Sequence, residues 1–358
     1  MGDARRTVDV TADGRPGTEP RTCGRRSDMR ALVTGGFGVN GSWITRRLVQ
    51  LGHEVLVLDA HDDRTLLPDV ADDIRVAVAD VADADAVRAE VDRFRPERIV
   101  HAAAVIAAGA DPVAAVRVNV SGTVAVCEAA ARAGVGRVVY MSSRAVYGAL
   151  TGPHGHPGYT PITEDHPRRP VGLYDVTKLA CEEIGGWYAR SRGLEFVSLR
   201  FSTIFGPGKL QRHGGFGVYS SMIELPAAGE PVHLEQGGDE RDDVVYVADV
   251  ADAVVAAVLT PGRLPHDAYN VGTGRVVALE DLAEAVRDAV PGATIRIGPG
   301  LDPMRMDASY YGALNSARAH ADLGWTPQFT LPAAVEHYLM TLDRLELLPA
   351  RSAPWNGA

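Results

Sequence analysis

The sequence predicts an α/β fold, a doubly wound parallel sheet with a smaller C-terminal lobe. Two observations carry this. Short β-rich runs alternate with helical stretches from Met29 to Phe201. The runs are continuously apolar, as in Val55-Leu56-Val57-Leu58, which is how parallel strands read when helices cover both faces. Alternation at this spacing is the signature of repeated strand–helix–strand crossovers.

Taken in order, Arg30–Val33 reads as a first strand and Gly41–Leu51 as a helix. Glu54–Leu58 and Ile74–Val78 are strands, Ala84–Phe94 a helix, and Arg98–His101 a fourth strand. Asp111–Ala133 is a long helix, opened by Asp-Pro with proline at the first helical position. Arg137–Ser142 is a fifth strand. The stretch 149–172, rich in Pro, Gly and His, is a long loop, and such loops in compact enzymes often serve function. Leu173–Arg192 is a helix and Glu195–Phe201 a sixth strand. Beyond Gly206-Pro-Gly the elements shorten, until an amphipathic helix over Leu331–Leu347. The reading divides the chain into a sheet domain over 29–205 and a second lobe over 206–348 that partly returns to the first. A flexible tail over 349–358 follows. Residues 1–28 hold six Arg and five acids with almost no apolar residue, and are expected to be disordered.

A chain of 358 residues with 46% hydrophobic and 23% charged residues is ordinary for a globular protein. The net charge of −10 argues against nucleic acid and anionic membranes as partners, since both reward clustered Lys and Arg. No apolar run is expected to reach bilayer-spanning length. Cys23, Cys127 and Cys181 form no CxxC pair, which fits a reducing cytoplasm and excludes a disulfide framework. His154, His156, His166 and His213 have no helical or hairpin ligand spacing, so no metal site is expected.

Between the first strand and helix lies Thr34-Gly-Gly-Phe-Gly-Val-Asn-Gly41, which satisfies both GxGxxG and GxxGxxG. Glycine is needed where the chain turns tightly, where backbone approaches a pyrophosphate, and where helix packs on strand. The helix N-terminus then offers unpaired N–H groups and a positive dipole end. Strand before and helix after supply the context that gives the motif weight. Asp59 ends the second strand 18 residues beyond Gly41 (59 − 41). An acid there accepts from adenosine ribose hydroxyls and repels a 2′-phosphate, which favours NAD over NADP.

Tyr174 and Lys178 share one face of the helix after the long loop. A phenol is a poor base at neutral pH, and a nearby ammonium favours its ionised form. Ser142 and Ser143 end the fifth strand, and ligands of open parallel sheets sit at the carboxyl ends of strands. Ser143, Tyr174 and Lys178 thus read as a catalytic set for moving hydride and proton.

On these motifs the chain over about 29–340 resembles the extended short-chain dehydrogenases/reductases, specifically the NAD-dependent sugar epimerase/dehydratase group. The resemblance implies a Rossmann-type sheet, NAD as cofactor, and a second lobe for a small sugar-type substrate. By this resemblance Gly35, Phe37, Gly38, Val39, Asn40 and Gly41 take the pyrophosphate and Asp59 the ribose. Asp80 and Val81 lie against adenine, Ala102 and Ala103 form cofactor wall, Asn119 supports the active site, and Phe201 lies near the nicotinamide. Ser143, Tyr174 and Lys178 correspond to the catalytic triad, with Tyr174 and Lys178 also touching the cofactor.

Four departures stand out. Asn40 occupies a usually apolar position in the glycine turn. Thr203 stands where an Asn contacts a nucleotide-sugar substrate. One extra residue before Tyr246 puts Asp242 where an Arg holds the substrate diphosphate, leaving Arg241, Lys209 or Arg212 to take over. Arg144-Ala145 follows the serine where dehydratases carry an acid, so elimination of water lacks its proton carrier. Epimerisation through a keto intermediate is then the leading expectation. A single-step dehydrogenase or reductase of a sugar, sugar acid or secondary-metabolite alcohol is the alternative, and a non-catalytic NAD(H)-binding regulator a third. The helices Asp111–Ala133 and Leu173–Arg192 imply a homodimer, with Ala129 and Ala180 near the contact.

Overall fold

The computed structural model describes residues 29–106, 111–213 and 217–347. The N-terminal segment 1–28 with Cys23, the tail 349–358 and the side chain of His213 lie outside the described residues.

The first half builds β1 (Arg30–Thr34), α1 (Val39–Gln50), β2 (Glu54–Asp59), β3 (Ile74–Val78), α2 (Ala84–Phe94) and β4 (Arg98–His101). A long helix follows as α3 (Pro112–Val116), a widened turn (Arg117–Ser121) and α4 (Gly122–Ala133). Next come β5 (Arg137–Ser143), α5 (Leu173–Arg192), β6 (Phe196–Phe201) and β7 (Thr203–Phe205). The second half runs α6 (Lys209–His213), α7 (Val218–Ala227), β8 (Val232–Leu234), β9 (Arg241–Asp242), β10 (Val244–Tyr246), α8 (Val247–Leu259), β11 (Ala268–Val271), β12 (Val277–Ala278), α9 (Leu279–Ala289), β13 (Ile295–Ile297), α10 (Ala317–Leu323) and α11 (Leu331–Arg344).

Seven strands form one sheet in the order β11-β6-β5-β4-β1-β2-β3. Every pairing within it is parallel. The order reverses between β1 and β4, which opens a crevice at their carboxyl ends. β11 comes from the second half and pairs with β6, Asn270 opposite Arg200. The second half therefore completes the sheet of the first, and α8 packs against α1. Two-stranded ladders β10–β7, β12–β9 and β13–β8 build the smaller lobe. Core strands are dry: β5 is buried along its whole length. The helix expected from Gly41 starts at Val39 with Gly38 as its N-cap, so the glycine turn already belongs to the helix's first turn.

Two expectations are corrected. Pro112–Ala133, at 22 residues, is long and apolar enough to cross a membrane by length and composition alone. Half of its apolar window is buried within the fold, as a core helix requires, and α4 packs against α2 and α5. Ala129 is 3% exposed and faces the core, so it cannot reach a partner. The outward faces of the same two helices carry Val113, Val116, Val124, Val176 and Trp187, all exposed.

Candidate active site

The glycine turn is closed by contacts that leave no room for side chains. Gly35 has φ +66°, and a Cβ on it would meet the Ala103 backbone at 2.7 Å. A Cβ on Gly41 would lie 2.0 Å from the Gly35 carbonyl oxygen. Gly35, Gly38, Val39, Asn40 and Gly41 line a cleft of about 620 Å³, within the range for small-molecule sites. The open N-terminus of α1 gives the cleft a preference for anions. Asn40 Oδ1 is buried there with no partner among the described residues, a polar atom awaiting a donor. The tight glycine turn and the open helix end fit a dinucleotide pyrophosphate.

The turn is held from behind. Phe37 is buried and its N–H donates to Asp59 Oδ2 at 3.0 Å, which fixes the carboxylate at the end of β2. Asp80 pairs with Arg117 and accepts from Ala82 N at 2.9 Å, which holds its carboxyl below the usual range. Val81 packs against Gly122, where a Cβ would sit 2.8 Å from it. Ala102 lines the cleft, whereas Ala103 stands behind it with its N–H on Thr34 Oγ1.

Ser143, Tyr174 and Lys178 line the same cleft as the glycine turn and Phe201. The Ser143 hydroxyl lies on the Tyr174 side of the cleft, and its Oγ accepts from Ala145 N at 3.1 Å. Burial pushes the phenol well above its usual pKa, and the nearby Ser143 hydroxyl pulls the other way. Lys178 is 3% exposed, and burial lowers its pKa to about 8. Its Nζ donates to the Met141 carbonyl at 2.7 Å and lies 5.5 Å from the centre of the Tyr174 ring. Ser142 is tied elsewhere: its hydroxyl donates to Glu182 at 2.6 Å, inside a buried network with Arg200. Of the two adjacent serines, only Ser143 is available to a reacting oxygen.

Asn119 does not line the cleft. It is 2% exposed and donates to Val105 O and Thr177 Oγ1, each at 3.0 Å, and accepts from Val105 N at 2.8 Å. Thr177 in turn donates to the Tyr174 carbonyl at 2.8 Å. Asn119 thus ties the segment after β4 to the turn of α5 that carries Tyr174.

The expected substrate residues divide. Thr203 and Lys209 line the cleft. Arg212 does not; it donates to the Phe37 carbonyl and pairs with Asp63 at 2.6 Å. Arg241 is exposed and outside the lining, because in the β9–β12 ladder the adjacent Asp242 takes the inward position. By sequence register, Asp242 stands where an Arg would hold the substrate diphosphate. That expectation is corrected: it is fully buried and paired with Arg144 Nη1 at 2.5 Å.

Several residues escaped the sequence reading. His101 is buried between Thr34 Oγ1 at 2.7 Å and Thr123 Oγ1 at 3.0 Å, and burial lowers its pKa to about 3. Met304, Met306, Asp307, Ser309 and Tyr310 form the far wall of the cleft. Their segment holds Asp302, Arg305 and Asp307 at positive φ, which no periodic pattern signals. The His154 and His166 rings meet edge to face at 5.1 Å, and His154 Nδ1 is engaged by the Thr160 carbonyl. Among the described residues no cluster of three metal-ligand side chains occurs.

With this geometry in place, comparison with known proteins is direct. The family model described as NAD dependent epimerase/dehydratase family matches residues 31–272. The UDP-glucose 4-epimerase of Mycolicibacterium smegmatis is 34% identical over 315 residues, covering 86% of this chain and 96% of that protein. The dTDP-L-rhamnose 4-epimerase of Burkholderia thailandensis is 28% identical, covering 86% and 93%. The crystal structure of Thermus thermophilus UDP-glucose 4-epimerase in complex with NAD superposes with a TM-score of 0.73 at 29% identity, covering 88% and 99%. A relative this similar along nearly its whole length, together with a family model spanning most of the sheet and the helix that carries Tyr174 and Lys178, makes the chain a member of the NAD dependent epimerase/dehydratase family.

Proposed function

We propose that the chain is a cytoplasmic, homodimeric epimerase that uses NAD to invert a carbon of a nucleotide sugar. The observation that carries the reading is that Ser143, Tyr174 and Lys178 face the same cleft as the glycine turn. A hydride site and a proton site therefore share one space. The named relatives, 4-epimerases of UDP-glucose and dTDP-L-rhamnose, support the nucleotide-sugar class.

NAD, when bound, supplies a reversible hydride carrier. Gly35, Gly38, Val39, Asn40 and Gly41 would hold its pyrophosphate, with Asp59 at the ribose. Ser143 positions a sugar hydroxyl against Tyr174. Tyr174 removes the hydroxyl proton as that carbon is oxidised and returns it to the same oxygen when the carbon is reduced from its other face. A phenol raised by burial resists ionisation, so the Lys178 ammonium and the Ser143 hydroxyl must offset that penalty. Lys178 is anchored on Met141 O, which keeps its charge near the ring without consuming it in an ion pair. The residue after Ser143 is Arg144, engaged by Asp242, so no second acid stands there to eliminate water.

The test is to purify the protein, identify the retained dinucleotide, and assay a panel of nucleotide sugars and free sugars. Tightly held NAD and epimer formation without net redox change support the reading. Stoichiometric consumption of added NAD with a ketone product contradicts it and supports the single-step dehydrogenase.

A further inference from the structure

Arg144 and Asp242 are 2% and 0% exposed. Nη1 meets Oδ1 at 2.5 Å and Nη2 meets Oδ2 at 3.1 Å, a two-pronged pair. The guanidinium also donates to Gly312 O and to Thr203 Oγ1, each at 2.9 Å, and lies 4.4 Å from the centre of the Tyr310 ring. Thr203 and Tyr310 line the cleft, whereas Arg144 and Asp242 do not. The pair is electrically closed, so Arg144 offers no charge to a ligand and instead sets the positions of two lining side chains. Arg212 is likewise spent on Asp63 and Phe37 O.

Two ammonium groups line the cleft, Lys178 and Lys209. Lys178 serves Tyr174. Lys209 donates to the Ile204 carbonyl and keeps its other hydrogens for the space it lines. Burial alone acts on its acidity, lowering the pKa to about 8, with no carboxylate among the causes. A cation desolvated in a cleft without a counter-ion is stabilised by a bound anion.

We propose that Lys209 binds a phosphate oxygen of the substrate's diphosphate, and that the Arg144–Asp242 pair holds Thr203 and Tyr310 in place as the uncharged wall beside it. The assignment rests on the nucleotide-sugar reading above. It makes recognition of the diphosphate depend on one flexible ammonium. The glycine turn serves the other phosphate source, the dinucleotide.

The experiment is calorimetric titration of the NAD-loaded protein with UDP, dTDP and uridine, and of the cofactor-stripped protein with ADP-ribose. The variants are Lys209→Met, Lys209→Arg and Arg241→Ala. Lys209→Met is expected to weaken UDP about tenfold or more while uridine and ADP-ribose stay within about twofold. Lys209→Arg restores most of the UDP affinity, and Arg241→Ala leaves it unchanged. Unaltered UDP binding in Lys209→Met overturns the assignment. So does a loss confined to ADP-ribose, or a tenfold loss in Arg241→Ala. Wild-type protein that binds neither UDP nor dTDP contradicts the nucleotide-sugar reading itself and removes the assignment with it; that failure appears in the wild type, before any variant is made.

Discussion

Arg144, the residue after Ser143, and Asp242, 98 residues further along the sequence, meet as a buried two-pronged ion pair. Neither charge has solvent to fall back on. Removing one partner strands the other, at about 3–5 kcal/mol, whereas exchanging both for apolar residues of similar size is often near neutral. Arg144→Met and Asp242→Leu should each lower urea-unfolding stability by that order, and the double variant by clearly less than their sum. Strictly additive losses would show that the pair is not coupled.

Asp59 is expected to set cofactor choice. Its Oδ2 is occupied by the Phe37 N–H at 3.0 Å, which leaves Oδ1 for a ribose hydroxyl and a negative charge where a 2′-phosphate would sit. Titration of stripped protein should give tighter binding of NAD than of NADP. Asp59→Ala should narrow the gap, and it should weaken both dinucleotides because the Phe37 amide loses its acceptor. Equal affinities in the wild type refute the assignment.

His101 links stability to pH. Its folded-state pKa is lowered to about 3 from an ordinary 6.5 by burial first and by Lys178 second. The unfolded chain therefore binds the proton more readily than the native one. Stability from this group is complete above about 6.5 and is lost as pH falls toward about 3. Between pH 7 and pH 5 the loss should be about 2 kcal/mol. His101→Asn should be less stable at pH 7, with one hydrogen bond fewer between β1 and α4, and its decline between those pH values should be shallower. An identical slope in both proteins removes His101 as the cause.

Val113 is 73% exposed, Val176 47% and Trp187 49%, on helices whose other faces are buried. Exposed apolar side chains on the outward faces of packed helices point to an interface. Sedimentation at micromolar concentration should find a dimer, and Val176→Glu with Trp187→Glu should shift it to monomer. A wild type that sediments as monomer contradicts the assignment.

The sheet was legible where strands such as β1, β2 and β5 are nearly continuous apolar runs and where a helix carries a start signal. Asp111-Pro112 opens α3 and Gly134 closes α4 at φ +68°. Ile74–Val78, Ala84–Phe94 and Leu173–Arg192 coincide with observed elements end to end. Ser143, Tyr174 and Lys178 were legible as a set because their motifs sit at a strand end and on one helix face, and they line one cleft. The substrate side was not. Asp242 carries a charge whose meaning depends on Arg144, and no local pattern joins residues 98 apart. Arg212 reads as a free cation because a sequence shows charge and not its partner, and Arg241 reads as cleft-facing because the inward position of Asp242 is set by the β9–β12 ladder. His101 gave no signal, since a histidine at a strand end looks the same whether it meets water or two threonines. Met304 to Tyr310 form the far wall through non-repeating backbone, including Asp307 at φ +132°. Ala129 was misplaced because a small residue fits a core seam and a helix–helix contact equally well.

The central claim is that Tyr174 carries a proton in a reaction that ends without net redox change. The direct measurement is proton NMR of UDP-galactose incubated with the purified protein and no added cofactor, alongside Tyr174→Phe and Lys178→Ala. The account predicts UDP-glucose accumulating to an equilibrium mixture, with no build-up of reduced dinucleotide beyond the enzyme's own content. It predicts a fall of about two or more orders of magnitude in Tyr174→Phe with cofactor retention little changed, and losses of both turnover and retention in Lys178→Ala. Wild-type turnover that survives in Tyr174→Phe would contradict it.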